Sequence, residues 1–136
     1  MKNKFLTAAF LLCSSFLCAQ KPDYKVVFDL TSRDTLDQRS VIRWLNEISK
    51  SNPDAKLEVV MYGQGFSFVR DKSIYADAIT RLCTSKNISF KVCAIALKNN
   101  NVDKSELLPC AEVVPDGIYE IITKQKQGWG YIKAVH

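Results

Sequence analysis

Short apolar blocks alternate along this chain with stretches whose apolar residues recur at helical spacing. Residues 24–30 (YKVVFDL) form a Val-rich run suited to a buried strand. Asp34 follows as a helix N-cap, with Asp37 three positions on. Val41, Trp44, Leu45 and Ile48 then mark one helical face, and Asn52-Pro53 stops the helix. Residues 57–62 (LEVVMY) are a second strand, closed by the Gly63-Gln64-Gly65 turn. A second helix is predicted over 73–86, with Ile74, Ala78 and Leu82 in one stripe and Tyr75, Ile79 and Cys83 beside it. Residues 88–93 (ISFKVC) make a third strand, and a short helical turn carries Ala94 to Lys98. Asp103 with Glu106 has the spacing of a small capping box. Residues 111–114 (AEVV) are a fourth strand. Pro115-Asp116 then starts a helix with Ile118, Ile121 and Ile122 expected inside, Gly128 ends it, and 130–133 offers a last short strand.

Strands alternating with helices imply an α/β domain with a mostly parallel sheet of four or five strands, covered on both faces. Right-handed crossovers place ligands at the carboxyl ends of the strands. Three segments therefore share one rim: Thr31 to Asp34, Gly63 to Phe66, and Cys93 with Ala94.

The first twenty residues stand apart from this pattern. Lys2 and Lys4 precede the apolar stretch Phe5 to Cys18, and small or polar residues follow at Ala19, Gln20 and Lys21. That order is the one of a secretory signal. The run is shorter than the ~20 residues a transmembrane helix needs. An uncleaved anchor or a buried first helix is the competing reading. Bulky Leu11-Leu12 and Phe16-Leu17 before Cys13 and Cys18 argue against a lipoprotein. The expectation is thus a signal over 1–20, a single domain over 21–136, no later membrane span, and a periplasmic or secreted location.

Without the signal, 17 Lys and Arg face 14 Asp and Glu, a net of +3, scattered with no basic run. Such a surface, on an exported chain, excludes nucleic acid as the expected partner. Arg33, Asp34 and Arg70 are within reach of the rim, but surface charge explains them equally well.

Cys83, Cys93 and Cys110 remain after the signal is removed, an odd number for an oxidising compartment. Cys93 ends a strand and precedes a helical turn, where N–H donors and the helix dipole favour a thiolate nucleophile. A sulfur-accepting or redox-active thiol is one reading, and a small buried hydrophobe is the other. Cys83 and Cys110 fall on the opposite rim. They can form a disulfide, but two reduced core cysteines is the preferred reading. The Gly63-Gln64-Gly65 turn could aim backbone N–H groups at a ligand, although a plain tight turn explains it as well.

Several chemistries are absent. His136, the last residue, is the only histidine; there is no G-x-S-x-G elbow, no P-loop and no C-x-x-C. A zinc site would need all three cysteines and His136, with Cys93 on the wrong rim. No metal and no organic cofactor are expected. Trp44 and Trp129 fit core and oligomer contacts.

The stretch from Ile88 to Lys133 resembles the C-terminal half of DsrE/DsrF-like sulfur-carrier proteins. The matching features are the strand ending at Cys93, Val113-Val114-Pro115, and Gln127-Gly128-Trp129 before Tyr131-Ile132. The N-terminal half matches more loosely, through Val26-Val27 and Tyr62-Gly63. The resemblance implies a flavodoxin-like three-layer sandwich, homo-oligomers such as trimers or hexamers, and sulfur held as a persulfide on the cysteine matching Cys93. Together with the expected signal over 1–20, it implies an exported sulfur-handling protein, a sulfurtransferase-type carrier in contact with a small sulfur donor or an acceptor thiol. Cys93 is then the reacting residue, and Gly63, Gln64, Gly65 and Ala94 the binding rim. The alternative is a non-catalytic oligomeric module that binds a small ligand at the same rim.

Overall fold

A computed structural model describes residues 23–135, and the expected signal over 1–20 lies outside them. Five strands form one parallel sheet: β1 (Lys25–Leu30), β2 (Lys56–Met61), β3 (Ile88–Cys93), β4 (Ala111–Val114) and β5 (Gly130–Lys133). Their order is β4-β3-β2-β1-β5. The helices are α1 (Thr35–Ser51), α2 (Ala76–Leu82), α3 (Ala94–Asn99) and α4 (Gly117–Lys126). The α/β class and parallel sheet are those expected.

That strand order decides which face each helix covers. From β1 to β4 the chain steps across the sheet in one direction, so right-handed crossovers put α1, α2 and α3 on one face. The return from β4 to β5 runs the other way and puts α4 on the opposite face. The core divides accordingly. Phe28, Leu30, Val59, Met61, Phe90 and Val92 pack with Val41 and Leu45 of α1 and Ile79 of α2. Val27 and Val60, the alternate strand positions, pack with Ile121 of α4. No helix among the described residues is long and apolar enough to cross a membrane.

Local signals set the helix ends. The Asp34 carboxylate accepts the Leu36 N–H at 2.7 Å to cap α1, and the Asp116 carboxylate accepts the N–H groups of Ile118 and Tyr119 to cap α4. The capping box of Asp103 and Glu106 is present on a single 3-10 turn, Lys104–Glu106.

Three expectations are corrected. The second helix is shorter than 73–86, because Ser73 to Tyr75 form a turn in which Ile74 is exposed. Only Ile121 of the three α4 isoleucines is buried; Ile118 and Ile122 are exposed because α4 lies alone on its face. Cys83 and Cys110 are not two reduced core cysteines but a disulfide, with Cα atoms 6.2 Å apart. Cys83 follows α2 and Cys110 precedes β4, on the rim at the amino ends of the strands, so the bond ties a helix to an edge strand.

Candidate functional site

Cys93 is the last residue of β3 and the residue that leads into α3. It is the one free cysteine among the described residues and is 5% exposed. Its side chain makes no capping bond to α3. It borders a cleft of about 280 Å³ at the carboxyl ends of the strands.

Three loops supply the rest of the cleft. After β2 come Tyr62, Gly63 and Gln64; Gly63 has φ +56°, a left-handed conformation that glycine adopts without a Cβ penalty. From α3 and the loop behind it come Asn99 and Asn100. The Gln64 side-chain amide donates to Asn100 Oδ1 at 2.8 Å, and the Asn100 amide donates to the Ala96 carbonyl at 2.8 Å. Asp116 closes the third side. Ile95 and Ile118, both exposed, form apolar lips. None of the cleft-lining residues is a Lys or Arg.

Behind Tyr62 lies a buried carboxylate. Asp29, in β1, is 3% exposed. Its Oδ2 accepts from the Tyr62 hydroxyl at 3.1 Å, the Tyr131 hydroxyl at 2.5 Å and Lys133 Nζ at 3.3 Å. Its Oδ1 is buried and has no hydrogen-bond partner among the described residues. Burial, with the Asp29 carboxylate beside it, pushes the Tyr62 phenol up to about 12. The hydrogen bond to Asp29 and partial burial do the same for Tyr131, also to about 12.

Both phenols are thus harder to ionise folded than unfolded. Their contribution to stability is complete below the ordinary value of 10.0 and is lost as pH rises through about 12. A near-ultraviolet tyrosinate titration is expected to show the Tyr62 and Tyr131 phenols ionising late, near 12. The Tyr62→Phe and Tyr131→Phe variants should each remove one late transition. Variants that leave the late part of the titration unchanged would contradict the arrangement.

A second buried carboxylate lies under α4. Glu58, in β2, accepts from Ser89 Oγ at 2.9 Å and pairs with Lys124 at 3.0 Å. Burial raises its pKa above the usual carboxylate range, against the pull of Lys124 and Ser89. The same Lys124 ammonium lies over the Trp129 ring, 4.7 Å from its centre, which gives Trp129 a packing role.

Of the residues singled out from sequence, Cys93, Gly63 and Gln64 meet in the cleft. Gly65 is buried beneath the turn, and a Cβ there would lie 1.9 Å from the Leu30 carbonyl oxygen. Ala94 is half-buried at the start of α3 and is outside the cleft lining. Arg33 is exposed, Asp34 caps α1, and Arg70 pairs with Glu106, so none of these lines the cleft. Tyr62, Asn99, Asn100, Asp116 and the two isoleucines were not named as site residues by sequence. Asp29 carries a signal, as an acid between Phe28 and Leu30 in a Val-rich strand. No cluster of three or more metal-ligating side chains occurs among the described residues.

The DsrE/DsrF-like family model matches residues 25–134. Among solved structures, the protein of unknown function MTH1491 from Methanobacterium thermoautotrophicum is 28% identical with a TM-score of 0.77. That match covers 82% of this chain and 99% of that one. The YchN protein from E. coli is 10% identical with a TM-score of 0.65, covering 82% and 98%, and at that identity the likeness is of fold alone. No curated protein matches the chain.

Proposed function

Since the chain belongs to the DsrE/DsrF-like family, we propose that it takes part in sulfur relay and carries sulfane sulfur as a persulfide on Cys93. The observation that carries this reading is the free Cys93 at a strand end, bordering a cleft on the rim where open α/β sheets bind ligands. The chemistry is covalent group carriage. The deprotonated Cys93 Sγ attacks the outer sulfur of a donor persulfide. A new Sγ–S bond forms, the donor's S–S bond breaks, and the donor leaves as a thiolate that takes up a proton. An acceptor thiolate then attacks the same outer sulfur and returns Cys93 to its starting state. Each step exchanges one S–S bond for another, so no oxidant, metal or organic cofactor enters.

The small, partly apolar cleft suits a short sulfur chain delivered by a small donor or by the end of an acceptor thiol. The paired Cys83 and Cys110 leave Cys93 as the free thiol among the described residues. The same disulfide supports export to the periplasm or beyond, since such bonds persist in oxidising compartments. Exposed Tyr119, Ile122, Tyr131 and Val135 support assembly with further copies of the chain, as a trimer or hexamer.

One observation favours the non-catalytic reading, a module that binds a small ligand at this rim. Cys93 is buried, and amide side chains dominate the polar part of the cleft. Loading with inorganic polysulfide followed by cyanolysis separates the two. The carrier reading expects thiocyanate release in proportion to chain from the wild type and background release from Cys93→Ser, with unchanged circular dichroism. Equal release from the Ser variant, or none from the wild type, leaves the binding module as the function.

A further inference from the structure

We propose that Tyr62 is a positioning residue for Cys93, and that its hydrogen bond to Asp29 sets how freely the thiol can be reached. The proposal rests on Cys93 being the reacting group.

Tyr62 and Cys93 are neighbours across Gly117, the first residue of α4. A Cβ on Gly117 would lie 3.1 Å from Cys93 Cβ and 3.4 Å from Tyr62 Cβ. The two side chains therefore leave adjacent strand ends beside a residue that has none. From there Tyr62 lines the cleft, while its hydroxyl reaches away to Asp29. The base of the ring is set by the backbone after β2. The far end is held by one hydrogen bond.

Asp29 is built to hold it. Tyr131 and Lys133, both in β5, bind the same oxygen from another strand, so the acceptor stays in place whether or not Tyr62 donates. Stability alone does not call for a carboxylate here. Val27 and Val60 fill the same face with apolar side chains, and replacing buried charge by apolar groups is often neutral or stabilising. Asp29 instead keeps one buried oxygen with no partner among the described residues, an exception that asks for a reason. Anchoring the cleft wall supplies one. The phenol also keeps its proton to about 12, so it remains a donor at every physiological pH.

The test is the rate of Cys93 alkylation by iodoacetamide across pH, on the full chain with the Cys83–Cys110 bond intact. A pH series separates the plateau rate, which reports access, from the midpoint, which reports thiol ionisation. Tyr62→Phe keeps the ring and deletes the bond. Its plateau is expected to rise about tenfold with the midpoint unmoved, the order expected from losing a hydrogen bond to a charged group. Tyr131→Phe deletes the other phenol on the same carboxylate but leaves Lys133 and the Tyr62 bond, so its plateau should rise by less than that of Tyr62→Phe. A role in stability alone would lower the melting temperature and leave the plateau where it was. If Tyr62→Phe does not fold, Asp29→Asn carries the same comparison with Tyr62 in place and a weaker acceptor. A Tyr62→Phe plateau near the wild-type value overturns the proposal, as does a Tyr131→Phe plateau that rises as far. Alkylation needs no sulfur donor. Failure of the wild type to take up sulfur would therefore defeat the carrier reading while this comparison still decides the role of Tyr62.

Discussion

Gly65→Ala is expected to destabilise the folded chain by about 3 kcal/mol or more, among the larger effects of a single substitution. A methyl group there would sit 1.9 Å from the Leu30 carbonyl oxygen and 2.8 Å from its carbon. Both are backbone atoms at the end of β1, with no flexible side chain to yield. Relief requires the 3-10 turn Gly65–Val69 to lift away from β1. That turn carries Phe66, Phe68 and Val69 into the core, so the shift disturbs packing well beyond the methyl group. For a domain of about 100 residues the loss corresponds to a melting temperature lower by on the order of 15 °C. Thermal denaturation followed by circular dichroism measures it. A fall of only a degree or two would show that the turn moves freely, and would contradict a rigid seat for the neighbouring cleft residues Gly63 and Gln64.

Loss of the Cys83–Cys110 bond is the second large effect. The two cysteines are 27 positions apart in sequence. Closing a loop of that length in the unfolded chain is worth about 3.5 kcal/mol by the chain-entropy relation. Cys110 is exposed, so a reductant reaches the bond in the folded protein. Urea denaturation with and without dithiothreitol, and of the Cys83→Ser/Cys110→Ser double variant, should show matching losses of that size with the sheet intact. A difference below about 1 kcal/mol would mean the reduced chain retains the constraint in another form. Sulfur loading at Cys93 should survive in the double variant, since the disulfide lies on the opposite rim.

Much of this architecture is readable in local signals. Asp34 and Asn52 bracket α1 because capping and the residue before a proline act within a few positions. The Val-rich runs become the central strands because an apolar block of that length fits a sheet covered on both sides. Where several positions had to be weighed together, the pattern was less informative. Ile118, Ile121 and Ile122 share an apolar helix, but which of them is buried depends on α4 being alone on its face, and that follows from the strand order. Cys83 and Cys110 are compatible with either redox state until the fold brings them together.

The site divides in the same way. Cys93, Gly63 and Gln64 stand at strand ends, which sequence can locate. Tyr62 reads as the last residue of a strand, and neither it nor Asn99 and Asn100 carries a local signal that aims it at the cysteine. Asp29 is clearest in hindsight. Its partners come from positions 33, 102 and 104 residues away, beyond the reach of any periodicity.

Sulfur carriage on Cys93 is read from the intact mass of the native chain after exposure to inorganic polysulfide, with the disulfide left oxidised. The mass should rise by added sulfur, removed by dithiothreitol and mapped by digestion to the peptide containing Cys93. No gain, or a gain that persists in Cys93→Ser, would contradict it.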